Sequence, residues 1–564
     1  MSSDNMIWER KKIIKSAIPV FFILLLVFGC FLCRDYGLSW DEPIERENGM
    51  NSFGAAYCFF TGDSLGRNLK WTDCYYGNGL QHLLLGADFF KGCFGVSPNA
   101  GCWYLRHGLT FVFMLIGLFF MYRTGCLLWR NKLKAILPVI LFLFIPRFAA
   151  ESFYNIKDMG LLAGMMAGGY FMVRYALNST CVNALLFGTA AAFVCSIRLV
   201  GLQLAAAGIF IALFMEILCK GKGNASRTFW QLLCILMSFS VFLILFYPAC
   251  WNNEPIFFFG DAVAYMTAHP WGGTVRFLGR DYLSVNTPWY YLIVWIGVTT
   301  PLPIIFLLLT GSVCVLKKCF SGSGTFPHRR STILLLMFFM MFWGELLLLP
   351  FVVKNYYNGW RHFYFLGYPM LILAGCGAVN LFKLAAKHRL GELCAIGAAV
   401  IAAGLHIFWM ISSHPYQYMY FNILAGNPEN FELDYWHVSK RDAVRRILEK
   451  NAGNSGTITL PYHDTIHSVL TMFGEKERKK FHISHHTFHN YVVIINDSDW
   501  SIEKHLKQYP QQTGSKIVSD ETVWVKNSLG TAQGMLYRIV EFSKQTQMHD
   551  QSRQLNVNSE IKKL

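Results

Sequence analysis

The sequence predicts a mainly α protein, a polytopic membrane helical bundle of about eleven transmembrane helices with a small C-terminal soluble α/β domain. Three observations predict it. Of 564 residues, 54% are hydrophobic and 15% charged, against roughly 25% charged in an average soluble chain. Apolar runs of about 20 residues, each able to span a bilayer, recur as far as residue 412. Lys and Arg fall between those runs and gather on alternate sides, as in proteins whose loop charges set their orientation. The formal charge of +16 therefore reports topology; a nucleic-acid groove would concentrate the same residues on one face.

In chain order, the apolar windows place helices near residues 13–33, 104–122, 134–150, 158–177, 181–197, 200–218, 229–249, 288–310, 331–353, 363–382 and 392–412. The first follows Arg10, Lys11, Lys12 and Lys15. It lacks a small-residue cleavage site, so it reads as a retained helix and not a secretory signal. With the N-terminus in the cytoplasm, the inner loops carry Arg123, Arg130, Lys132 and Lys134, then Arg174, then Lys220, Lys222 and Arg227. Later inner loops carry Lys317, Lys318, Arg329 and Arg330, then Lys383, Lys387 and Arg389. The outer turns hold isolated bases such as Lys157, Arg198, Lys354 and Arg361. Every inner loop agrees, which sets a multi-pass plasma-membrane topology with the C-terminal domain extracytoplasmic.

The transmembrane module is expected over residues 1–413, with long outer loops at 34–103 and 250–287. In the first, "GNGLQHLLLGADFF" repeats apolar residues at helical spacing. It reads either as an interfacial helix lying on the membrane or as a loop helix packed on the bundle. From residue 414 hydropathy falls, "SKRDAVRRILEKNA" reads as a capped helix, and "GTITLPYHD" and "NYVVIINDS" read as strands. These define an α/β domain over 414–545, and the polar stretch 546–564 reads as a disordered tail. Cys58, Cys74, Cys93 and Cys102 share the first outer loop, where a disulfide and free thiols are both compatible with the spacing.

Charged residues at the outer ends of helices carry the functional signal. "CRDYGLSWDEP" places Asp41 and Glu42 at the membrane surface, where a solvated loop cap is the alternative. "PRFAAESFYNIKDMG" places Glu151, Lys157 and Asp158 on the same side. Charges so near an apolar span are costly unless paired or facing a watery cavity; Lys157 with Asp158 also fits a simple interfacial ion pair. "KNYYNGWRHFYF" adds Arg361 and His362, and Arg198 lies in the turn between the fifth and sixth helices. Arg presents a planar fork that matches phosphate. Snorkelling to lipid headgroups explains one such residue, and less well a set of acids and bases on one face.

With "LSWDEP", "PRFAAESFYNIKDMG", "HPWGGTVRFLG", "TPWYYLIVWIGVTTPLP", "NGWRHFYFLGYP", "HPYQYMYFN" and "FELDYW" in this order, the chain resembles a bacterial group of GT-C glycosyltransferases. That group is similar to the protein O-mannosyltransferase and lipid A aminoarabinose transferase class, and the likeness covers residues 34 to 440. The resemblance implies a donor sugar linked to a polyprenyl phosphate and a catalytic acid in the first outer loop, for which Asp41 of "WDEP" is the matching position. The loop has "YYGNG" where protein mannosyltransferases carry an "HPP"-like run, which weakens the case for a protein hydroxyl as acceptor.

The residues suit that chemistry. A polyprenyl phosphate leaves as a stable anion, so one carboxylate can serve where a glycosidase needs two. Asp41 is the expected base, with Glu42 beside it in the motif. Arg361 and His362, with Lys157 or Arg198, are expected to hold the donor phosphate, and Asp158 and Glu151 to support them. No metal is assigned, although Asp41, Glu42 and Asp158 have the oxygens to hold a divalent cation. His482, His485, His486 and His489 lack the spacing of a zinc site. The expected partners are the lipid-linked donor, membrane lipids and an acceptor that the sequence does not identify, with no nucleic acid. The competing readings are a transporter or lipid flippase, which would favour internal repeats and midplane charges, and a membrane scaffold, which would leave the convergent charges unexplained.

The orientation is checked with reporter fusions: one after Leu564 is expected outside the cytoplasm and one after Lys318 inside. A cytoplasmic C-terminal reporter would mean that a helix has been miscounted.

Overall fold

The computed structural model describes residues 3–62, 73–90, 98–219, 225–267, 271–320, 326–353, 355–452, 458–461, 464–484, 492–495, 516–526 and 532–542. The helices run α1 (Ser3–Leu32), α2 (Asp41–Thr61), α3 (Gly79–Leu84), α4 (Gly86–Phe89), α5 (Pro98–Trp129), α6 (Lys132–Ala135) and α7 (Leu137–Leu143). They continue as α8 (Pro146–Tyr154), α9 (Asp158–Leu177), α10 (Cys181–Ile197), α11 (Leu202–Cys219), α12 (Ala225–Leu245), α13 (Pro255–Thr267) and α14 (Tyr291–Thr299). α15 (Leu302–Phe320), α16 (Phe326–Phe339), α17 (Glu345–Val352), α18 (Gly367–Ala385), α19 (Arg389–Ser412) and α20 (Lys440–Lys450) complete the larger set.

Each of the eleven apolar runs is largely helical, but they are not equivalent. Among the described residues, six helices are long and apolar enough to cross a membrane: Ala100–Trp129, Ser226–Leu245, Leu302–Phe320, Arg330–Val352, Arg361–Ala385 and Arg389–Ser412. The chain is accordingly a multi-pass membrane protein. The third expected run is broken, because Pro146 starts a new helix after extended Ile145, and the two halves bend by 76°; counted together they would make a seventh span. The run at 288–310 is likewise split at Thr300, whose backbone is extended. α9 carries Asp158 and Arg174 and is buried along most of its length, so it lies inside the bundle. α19 has the opposite character: Trp409 is its one buried residue, and its exposed Leu393, Val400, Ile401 and Leu405 suit lipid. Where α15 meets α18, a Cβ on Gly311 would lie 1.9 Å from the Leu373 carbonyl oxygen and one on Gly377 would lie 2.0 Å from that of Leu307. Glycine at both positions lets the two backbones touch, as small residues do between membrane helices.

α2 is amphipathic in an inverted sense. Glu42, Glu45, Asn48, Gly49, Ser52, Ala55 and Cys58 form its buried stripe, at helical spacing, while Met50, Phe53, Tyr57 and Phe60 are exposed. A polar stripe thus faces the protein interior and an aromatic one faces outward. The "GNGLQHLLLGADFF" segment instead forms α3 and α4, with Leu80, Leu84 and Ala87 buried, which favours the packed-loop reading.

Beyond α19, the helix expected in "SKRDAVRRILEKNA" is α20, but Ser439 does not cap it; its hydroxyl is given to Asp434. Arg441 on α20 donates to the carbonyls of Arg34 and Tyr36 at 2.8 Å each and to that of Asp35, tying this region to the chain that enters α2. A hairpin, β1 (Thr274–Phe277) with β2 (Arg280–Leu283), precedes α14. The expected strands are β3 (Ile458–Pro461), parallel to β4 (Phe481–Ser484), and β5 (Val492–Ile495), whose sheet also contains β6 (Ile517–Lys526) and β7 (Ala532–Phe542) in the order β5-β7-β6. Cys58, Cys74 and Cys102 are free thiols, and Cys93 lies outside the described residues. His482 is exposed on β4; His485, His486, His489 and the tail 546–564 also lie outside the described residues.

Candidate active site

At one end of the bundle, segments leaving several helices enclose a cleft of about 330 Å³. Its charged walls come from the first two turns of α2 (Asp41, Glu45), the loop at Asp73, the start of α9 (Lys157, Asp158), Arg198 after α10, and Arg361 before α18. Aromatic walls come from Trp40, Tyr76, Trp271, Tyr357, Tyr435 and Trp436.

Local chemistry aims these groups. Asp41 opens α2, where the exposed N–H groups favour a negative charge. The Asn155 side chain accepts the Asp158 N–H at 3.0 Å and so fixes the start of α9. Arg198 has extended backbone (φ −152°, ψ 137°) that ends α10. Asn358 and Gly359 both have positive φ, the left-handed conformation that Asn and Gly tolerate best. That reversal buries Trp360 and brings Arg361 into the cleft. The Gly359 N–H is held by Tyr291 Oη at 3.2 Å and Glu432 Oε2 at 3.3 Å.

The charges form a connected network. Arg361 Nη1 lies 2.6 Å from Asp41 Oδ2 and 3.8 Å from Asp158 Oδ2, and its guanidinium sits 4.4 Å from the centre of the Trp436 ring. Asp158 also pairs with Arg198. Lys157 Nζ is 2.7 Å from Glu45 Oε1 and 3.5 Å from the centre of the Tyr76 ring. Four lining carboxylates, Asp41, Glu45, Asp73 and Asp158, thus face three cations, Lys157, Arg198 and Arg361. Burial pushes the Asp41 carboxyl up, but Arg361, Lys157 and Arg198 outweigh it and hold the group below its ordinary value. Glu45 goes the other way: burial exceeds the help from Lys157 and holds it above the ordinary value.

The structure brings Asp41, Lys157, Asp158, Arg198, Arg361 and His362 together on the cleft. It does not bring Glu42 there. Glu42 is 1% exposed, accepts the Ser39 N–H at 2.8 Å and the Ser39 hydroxyl at 3.0 Å, and contacts His107 Nε2 at 2.9 Å. His107 Nδ1 lies 3.1 Å from the Cys33 carbonyl oxygen, an acceptor only, so Nδ1 carries hydrogen and donates to it. Adjacent residues on a helix diverge in direction, which is why the neighbour of Asp41 anchors α2 from behind. Glu151 also stands behind the cleft: it accepts from Tyr364 at 2.7 Å, Tyr435 at 3.3 Å and Asn155 at 2.8 Å, bracing one wall residue and the cap of α9. Sequence reasoning missed Glu45 and Asp73. Glu45 was accessible in principle, since it follows Asp41 by four residues and a helix puts both on one face; Asp73 joins only through tertiary structure. Among the described residues, no group of three or more His, Cys, Asp or Glu side chains is placed to hold a metal ion.

The division of labour between the paired acids is testable by thermal denaturation in detergent. Glu42→Ala leaves the buried Ser39 N–H and hydroxyl without their acceptor and is expected to cost about 1–3 kcal/mol, whereas Asp41→Asn, which leaves Asp158 beside Arg361, is expected to cost less. A larger loss for Asp41→Asn than for Glu42→Ala would contradict this assignment.

No family model and no curated protein sequence matches the chain. Among solved structures it is similar to ArnT from Cupriavidus metallidurans bound to undecaprenyl phosphate, with a TM-score of 0.47 and 12% identity over 93% of this chain and 98% of that one. Against the apo state of that protein the TM-score is 0.47 and the identity 11%, with the same coverage of both chains.

Proposed function

We propose that the chain is a membrane glycosyltransferase that moves a sugar from a polyprenyl-phosphate donor to an acceptor hydroxyl at this cleft, with inversion. One observation carries the reading: Asp41, about a quarter exposed, is paired with Arg361 in a cleft that also holds Lys157 and Arg198. The order of motifs from "LSWDEP" to "FELDYW", with its GT-C resemblance, supports the same reading.

In the proposed reaction the acceptor oxygen attacks the anomeric carbon while the bond from that carbon to the phosphate oxygen breaks. Asp41 takes the acceptor proton, and the polyprenyl phosphate departs as an anion, so no second carboxylate is needed to protonate it. Arg361, Arg198 and Lys157 meet the charge that grows on the leaving phosphate, where partial exclusion of water strengthens their effect. Arg361 links the two tasks. As it turns toward phosphate it releases part of its hold on Asp41, which raises the basicity of that carboxylate at the moment of need. Trp271 and Tyr357, stacked at 4.2 Å, supply flat apolar surface for a sugar ring. The same side of the chain is proposed to face away from the cytoplasm.

Asp41→Asn removes the charge at constant size, so turnover of a lipid-linked sugar donor is expected to fall by roughly 10² to 10⁴ with donor binding largely kept. Near-normal transfer would remove Asp41 from the mechanism.

Arg361→Ala is expected to weaken donor use more than Arg361→Lys, because Lys keeps the charge and loses the fork. It also tests the pH dependence. With Arg361 present, Asp41 stays ionised as pH falls, so the acid-side loss of kcat/KM lies below the ordinary carboxyl value of 3.8. Without Arg361 that loss moves to higher pH. Equal, small effects of both substitutions with an unmoved acid limb would reassign Arg361 to headgroup anchoring.

A further inference from the structure

Three cations line the cleft, and they are held differently. Arg198 and Arg361 both engage Asp158, and Arg361 also engages Asp41, so either arginine can turn toward a ligand while Asp158 keeps a cationic neighbour. Among the described residues, Lys157 has one carboxylate contact, Glu45 Oε1 at 2.7 Å. Glu45 is 4% exposed, and its other oxygen, Oε2, takes a long 3.4 Å hydrogen bond from the Gln81 amide. Gln81 is itself held by Arg106, which donates to its carbonyl oxygen at 2.7 Å. The groups facing Glu45 are Lys157 from the start of α9, Gln81 from α3, Asp73 and Tyr76 from the preceding loop and Asp41 one turn earlier on α2. Lys157 supplies the cation, and the two acids oppose a charge on Glu45. Lys157 is the most readily moved of the three cations, having a flexible stem and a rotatable ammonium group.

If Lys157 leaves, Glu45 is a buried carboxylate beside Asp41 and Asp73. An isolated buried charge of that kind is neutralised by proton uptake, because desolvation and like charges both disfavour the anion. We propose that Glu45 holds Lys157 in reserve for the donor phosphate and takes up a proton from solvent when Lys157 transfers to that phosphate. This rests on the cleft being the donor site. Its consequence is that donor binding is linked to proton uptake, and that Glu45, which has no role in bond making, sets how the affinity depends on pH. Loss of Lys157 from Glu45 adds a cation at the phosphate, while the proton restores neutrality behind it, so the cleft gains one positive charge on the ligand side. The burial that already holds the Glu45 carboxyl above its ordinary value favours that uptake.

The test is titration calorimetry of the detergent-solubilised full chain with a short-chain polyprenyl phosphate, in buffers of different ionisation heat at pH 7. The wild type is expected to take up about one proton more per ligand than Glu45→Gln, whose neutral amide mimics the protonated acid. Glu45→Gln is expected to bind at least as tightly, and the wild-type affinity should fall with rising pH by up to about tenfold per unit relative to that variant. Lys157→Met provides a second comparison, with weaker binding and without the extra proton, since Glu45 is then neutral before the ligand arrives. Equal proton numbers in wild type and Glu45→Gln, with both binding, would overturn the exchange while leaving the donor site in place. An absence of binding by all three proteins would overturn the donor-site reading itself.

Discussion

The contact on which the arrangement turns is Arg361 set between Asp41 and Asp158. A buried guanidinium is costly without anionic partners, and Arg361 has two. Three separate pieces of chain must therefore arrive at one point: the start of α2, the start of α9 and the segment before α18. Each is prepared by local structure. The left-handed Asn358 and Gly359 turn Arg361 inward, Asn155 fixes the first turn of α9, and Glu42 with His107 and Ser39 fixes the first turn of α2. The network fastens the bundle end, and in the proposed reading the same charges serve the donor phosphate.

Its position in the bundle follows from the composition of the helices. α18 is buried almost throughout its first half and contacts α15 through glycine, so the cleft stands on a rigid base. α2 turns its polar residues inward and its aromatic ones outward. A polyprenyl phosphate has the same division, an apolar chain and an anionic head, and in the proposed reaction the head reaches the cations without its chain leaving the membrane. The fit is one of polarity along an axis, and it does not depend on which sugar the donor carries.

Much of this was legible in the sequence because membranes impose simple rules. Runs of apolar residues mark helices, and all eleven expected windows contain one. Which of them cross the bilayer was less legible, since hydropathy averages over breaks such as Ile145–Pro146 and over burial inside the bundle, as in α9. At the site, Asp41, Asp158, Lys157, Arg198 and Arg361 were visible as charges beside apolar runs. Their pairing was not, because it joins residues as far apart as 41 and 361. Glu42 was misplaced for a definable reason: adjacency in sequence was read as adjacency in space, whereas the helix sends the two side chains to different sides. Glu45, one turn further on, is the acid that shares the cleft with Asp41.

The central claim is that the charged cleft is a lipid-phosphate site, and locating such a ligand directly tests it. A structure of the full chain with a polyprenyl phosphate bound is expected to place the phosphate oxygens within hydrogen-bond distance of Arg361 and Lys157, with the isoprenoid tail leading to the membrane. A phosphate seated elsewhere on the bundle, with the Arg361–Asp41 and Lys157–Glu45 pairs unchanged, would contradict it.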